Sequence, residues 1–124
     1  MRAAVIALAV SLTASTASAQ DPAKTDADKY KVVLENERVR VLEYRDTPGD
    51  RTAQHHHPDF LMHVVSPFTR RLTFTDGRTM TRSFTAGEVV WMDAQTHIGE
   101  NVGNTETHVL IVELKEPKAA QTPR

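Results

Sequence analysis

The chain has 124 residues, 15 Lys and Arg against 16 Asp and Glu, and no cysteine. Charges so nearly balanced and interspersed exclude the basic footprint of a nucleic-acid binder. Without cysteine there is no disulfide to supplement a small core, and no thiolate to act as nucleophile or metal ligand.

The chain opens with Arg2, an apolar run from Ala3 to Val10 that fades through Leu12 and Ala14, and a small-residue close at Ala17-Ser18-Ala19. That order is the pattern of a cleavable secretory signal over residues 1–19, and the run is far shorter than the roughly 20 residues of a spanning helix. The expectation is export to the periplasm or medium, a mature chain starting at Gln20, and no membrane partner once the signal is removed. About 100 residues then remain, enough for one domain and too few for two. Residues 20–29 are polar and charged with a single proline, and read as a flexible leader; 116–124 read as a flexible tail.

Between them, β-branched and aromatic runs alternate with turn residues: Tyr30–Leu34, Arg38–Arg45, Thr52–His57, Phe60–Val65, Arg71–Phe74, Thr79–Phe84, Val89–Met92, Thr96–Val102 and Thr107–Leu114. Even spacing of short runs predicts an antiparallel sandwich or barrel over residues 30–115. Asp76-Gly77 predicts a hairpin with a tight primed turn, because Gly takes positive φ without steric cost. No stretch outside the signal carries a helical stripe.

All six histidines fall in this domain, at 55, 56, 57, 63, 97 and 108. Residues two apart on a strand share a face, so His55 and His57 project side by side while His56 points away. Two imidazoles on one face make half of a metal site.

The setting of these histidines resembles the two motifs of the cupin family. Gly49-x5-His55-x-His57 matches the front of the first motif, and Gly87, with Asp93 and Gln95 in its proline and glycine places and then His97-x3-Asn101, follows the second with one residue fewer. The texture at Pro48–Asp50, His55–Asp59, Ala86–Trp91, Thr96–Gly103 and Val112–Lys115 is similar to small single-domain cupins of the β-alanine-degradation and quercetin-dioxygenase-like kind. The resemblance implies a jelly-roll β-barrel. It also implies His55, His57 and His97 as ligands of a divalent ion (Fe, Zn, Ni or Cu) without the family's glutamate, whose place falls on Phe60, Leu61 or Met62.

The remaining polar and aromatic residues have open roles. His63 faces either the pocket or the outside; His108, on a face with Leu110, Val112 and Leu114, reads as a core histidine or a pocket residue. Trp91 and Phe60 are core residues or stacking surfaces, and Glu100 and Asn101 read as turn and supporting groups. Arg45, Arg70 and Arg82 are too scattered in sequence to read as an anion clamp. The functional expectation is a metal-dependent enzyme acting on a small molecule, with oxygenase, isomerase, lyase or hydrolase chemistry all open. Its alternative is a non-catalytic periplasmic module that binds a small molecule or metal. Edge strands of small barrels are commonly covered by a second copy, which predicts a homodimer.

Overall fold

A computed structural model describes residues 20–116; the signal read at 1–19 and the tail from Pro117 onward lie outside them. Nine strands follow one helical turn: α1 (Pro22–Thr25), β1 (Tyr30–Glu35), β2 (Val39–Asp46), β3 (His55–His57), β4 (Phe60–Ser66), β5 (Phe68–Phe74), β6 (Thr79–Phe84), β7 (Val89–Met92), β8 (Gln95–Asn101) and β9 (Thr107–Leu114). They pair antiparallel in two sheets, one ordered β1-β2-β9-β4-β7 and the other β3-β8-β5-β6. Only β1–β2 and β5–β6 join sequence neighbours within a sheet; elsewhere the chain crosses from one sheet to the other, as in a jelly roll.

Alternation along each strand supplies the interior. Leu42 and Tyr44 of β2, Phe60, Met62 and Val64 of β4, and Val109 and Ile111 of β9 pack inward against Phe68 and Phe84 of the other sheet. Phe68 and Phe84 stack at 4.8 Å between centroids. Pro58, which has no N–H to give a ladder, stands between β3 and β4 where the chain changes sheets.

Three expectations are corrected. The β5–β6 hairpin forms, but its loop is Thr75-Asp76-Gly77: the Gly77 amide bonds the Phe74 carbonyl at 3.0 Å and the Phe74 amide bonds the Arg78 carbonyl at 2.9 Å. Only Gly77 has positive φ there, at 87°, so the turn is the three-residue kind closed by a glycine bulge rather than a primed turn.

Residues 20–29 are not a free leader. Asp21 caps α1 by accepting from the Ala23 amide at 3.0 Å, and the Gln20 carbonyl takes the His56 amide at 2.8 Å. Both carboxylate oxygens of Asp21 accept from Arg40, each at 2.9 Å. Buried Asp26 takes the Ala53 amide at 3.1 Å.

The inward face of β9 is Thr107, Val109, Ile111 and Glu113, not the face carrying His108, Leu110, Val112 and Leu114. The latter lies on the outside of the five-stranded sheet, in a row that runs Leu34, Val41, Val112, Leu61, Trp91 across all five strands. His108 therefore belongs neither to the core nor to a pocket; it pairs with Glu43 at 3.1 Å on that outer face.

Candidate metal centre

β3 and β8 lie side by side with His55 opposite His97. Strand period then puts His55, His57 and His97 on the inner face, and all three are buried. Ring centroids stand 4.8 Å apart for His55–His57, 4.8 Å for His55–His97 and 5.5 Å for His57–His97. One ligand nitrogen from each lies within 4.8 Å of the others, a grouping that can hold a metal ion. Imidazole nitrogens sharing a tetrahedral ion at about 2.1 Å stand about 3.4 Å apart, so loading requires the rings to close by up to about 1.4 Å.

Every one of these rings is held from behind by an oxygen that accepts from Nδ1. His55 donates to the Ala53 carbonyl at 2.9 Å, His57 to Glu113 Oε2 at 2.7 Å and His97 to Gln95 Oε1 at 2.8 Å. The Gln95 amide is oriented in turn, since its Nε2 donates to the Asp93 carbonyl at 2.9 Å. With Nδ1 carrying the proton, each Nε2 is left with a lone pair, the tautomer that ligation requires. The Tyr30 hydroxyl donates to one of these lone pairs, on His55 Nε2, at 3.2 Å.

Charge state favours ligation as well. Burial, reinforced by the neighbouring His57, pushes His55 down to about 4. Burial, followed by the charges of His57 and His55, pushes His97 down to about 2. Both rings are neutral at pH 7.

No carboxylate stands among the candidate ligands. Phe60 and Met62 are buried and line the cavity, and Phe60 packs on His57 at 4.8 Å, while Leu61 faces outward. The acid that serves the site is Glu113, which sequence reasoning missed. Its Oε2 takes His57 and its Oε1 takes Arg40 Nε at 2.8 Å. Burial would raise its pKa, but those hydrogen bonds more than offset it and hold the carboxyl below its ordinary value. A carboxylate behind a ligand histidine orients the ring and raises its basicity. Because Arg40 also grips Asp21, a chain of contacts runs Asp21, Arg40, Glu113, His57 from the N-terminal turn to the centre.

The other histidines lie apart. His56 is exposed on the opposite face and bonds Thr96 Oγ1 at 2.8 Å; His63 is exposed on the outer face. Trp91 is 50% exposed on that outer face and lines no part of the cavity. Asn101 is buried and ties the following turn, donating to Asp46 Oδ1 at 3.0 Å and to the Thr105 carbonyl at 2.8 Å, and accepting from the Gly103 amide at 3.1 Å. Glu100 pairs with Arg71 at 2.7 Å. Arg70 and Arg82, scattered in sequence, are Cα partners across β5 and β6 and both line the cavity, whereas Arg45 does not. The cavity between the sheets opens onto His57 and His97, with Tyr30 and Tyr44 on its wall.

No family model matches the chain, and no match among curated proteins is found. Solved structures do match. A cupin domain from Bordetella pertussis Tohama I is 28% identical, covering 70% of this chain and 92% of that one, with a TM-score of 0.64. An RmlC-like cupin family protein with a double-stranded β-helix fold from Methanocaldococcus jannaschii is 16% identical over 76% of this chain and 87% of that one, at 0.56. A polyketide cyclase from Streptomyces resistomycificus is 18% identical over 72% of this chain and 66% of that one, at 0.53. The chain has the cupin double-stranded β-helix fold, with a buried three-histidine cluster in its interior.

Proposed function

We propose that the protein is a metal-dependent enzyme acting on a small molecule, with His55, His57 and His97 as the ligands. The observation that carries this reading is that three buried imidazoles each have Nδ1–H tied to an acceptor, turning three Nε2 lone pairs to the interior. That of His55 is engaged by the Tyr30 hydroxyl, which ligation would displace. A divalent ion held there would supply Lewis acidity toward a substrate oxygen and, if redox-active, electron transfer. The chain's own residues do the rest. Glu113 strengthens His57 as a donor, Gln95 and Ala53 fix the other two rings, and Phe60 and Met62 wall the centre from water. The Tyr30 hydroxyl, 3.2 Å from His55 Nε2, would be released when that nitrogen ligates and could then hold a proton toward a substrate oxygen.

A non-catalytic module that binds a small molecule or metal is the second reading. Apolar side chains where the related motif carries its carboxylate ligand favour it, since fewer ligands make a weaker site. Export through residues 1–19 and pairing of two copies belong to the same proposal; the mass of periplasmic protein and sedimentation test them.

Metal analysis of untagged protein, alongside the variants His97→Ala and His56→Ala, tests the site. About one ion per chain is expected, lost in His97→Ala and retained in His56→Ala, whose ring points to solvent. Equal losses in both variants would overturn the assignment, and turnover of a substrate separates the enzyme from the binding module.

A further inference from the structure

We propose that the cavity beside the three histidines takes a small carboxylate bearing a second oxygen function, the carboxylate held by Arg70; this inference gives the proposed small-molecule site its substrate class and rests on that reading.

Arg70 and Arg82 are Cα partners across the β5–β6 ladder and both line the cavity, but their heads diverge. Arg70 lies across β8 at Gly99 and against the Tyr44 ring, and Arg82 stacks on Phe84. Phe68, Leu72, Met80 and Phe84 make up the nearby wall, so the Arg70 guanidinium is a cation set in largely apolar surroundings.

The existing partners only partly satisfy Arg70. Arg70 spends Nη1 on Asp46 Oδ2 at 3.0 Å and on the Tyr44 hydroxyl at 3.1 Å. Asp46 is itself shared, accepting also from Tyr44 and from Asn101. Arg70 Nε and Nη2 bond no described residue, yet no buried side-chain nitrogen or oxygen lacks a partner. Those two donors therefore face reachable space, presented as the edge of a planar fork that matches a carboxylate. Arg82 is 43% exposed, stacked on Phe84 at 4.5 Å and bonded through Nη2 to Glu88 at 3.2 Å, so its charge is already met.

Gly99 aims the fork. A Cβ there would sit 2.1 Å from Arg70 Nη2, so only glycine lets the guanidinium lie flat across β8. His97 follows on the same face, about 7 Å away by strand rise. An acid whose carboxylate takes the fork and whose second oxygen lies two or three bonds further on spans that gap. The enclosed space, ≈ 40 Å³, suits a molecule of a few heavy atoms. Inorganic phosphate offers no second oxygen at that reach.

The test is titration of the full chain, both zinc-loaded and stripped by chelator, with pyruvate, glycolate, methyl pyruvate and inorganic phosphate, followed by calorimetry or ligand-observed NMR. Pyruvate and glycolate are expected to bind and the uncharged ester to bind on the order of tenfold or more weakly. Arg70→Lys, which keeps the charge and loses the planar fork, should weaken the acids on the order of tenfold, whereas Arg82→Gln should change acid affinity little. Ester binding equal to acid binding, unchanged affinity in Arg70→Lys, or phosphate binding tighter than either acid would each overturn the proposal. Acid binding by protein that takes up no zinc would support the carboxylate site and sink the metal reading; zinc uptake without acid binding would do the reverse.

Discussion

Glu113 is a buried acid set directly behind one of the three clustered imidazoles. A carboxylate 2% exposed is costly unless paired, and here it has two partners, Arg40 and His57, one on each oxygen. Its negative charge reaches the centre through the imidazole it orients. Glu113→Gln preserves shape and removes that charge, and an amide cannot accept from both partners with separate oxygens. Zinc affinity, measured by competition with a chromophoric chelator, is expected to fall about 10- to 100-fold, the range seen when such supporting groups are removed. The effect should appear with the three histidines intact and with the strand signature of the circular dichroism spectrum unchanged. Unaltered affinity would mean that the carboxylate serves folding alone.

At the scale of elements, strand existence was legible and strand facing was not. The nine runs match the nine strands because β-branched clusters bounded by turn residues carry that signal in themselves. His55 and His57 could be placed on one face by period, and His97 by the motif around Gly87. In β9, however, both faces are apolar: Val109 and Ile111 face the core while Leu110, Val112 and Leu114 cover the outer side of the sheet. Alternation without contrast leaves the facing undecided, and Glu113 stays hidden with it. The signal that would have found it is its parity with Thr107, Val109 and Ile111. The N-terminal turn escaped for another reason. Little apolar marks it: Pro22 is buried and Ala23 packs on the core, but neither forms a periodic run, and the rest of its hold is the pairing of Asp21 with Arg40, 19 residues on. That pair is partly exposed, so Asp21→Ala is expected to cost about 1 kcal/mol in urea denaturation and to weaken zinc binding less than Glu113→Gln does. A larger loss of zinc than in Glu113→Gln would show that the turn reaches the centre by a route other than Arg40.

Across the whole molecule, the three-histidine cluster works against the fold in acid and for it when metal is present. His97 and His55 have their pKa values lowered by burial from 6.5 to about 2 and about 4. Above pH 6.5 folded and unfolded chains carry these rings alike, neutral. As pH falls below 6.5 the unfolded chain binds protons that the folded chain refuses, so stability declines, by about 1.4 kcal/mol per pH unit for each ring. The decline from His55 ends near pH 4 and that from His97 continues toward 2. Glu113 and Asp21, both held below their ordinary values, add losses of the same sign, but only once pH passes below the ordinary carboxylate range. Metal-free protein should therefore lose melting temperature between pH 7 and pH 5, before its carboxylates titrate. The replacement His97→Gln, which carries no titrating ring, should roughly halve the slope of that part of the curve, leaving the share of His55. Zinc at 100 times its dissociation constant at pH 7 should add about 2.7 kcal/mol of stability, a gain that fades with acid as protons compete for the same nitrogens. A melting temperature flat from pH 7 to pH 5 in metal-free protein, and equally flat in His97→Gln, would show that the buried rings are not held neutral by the fold.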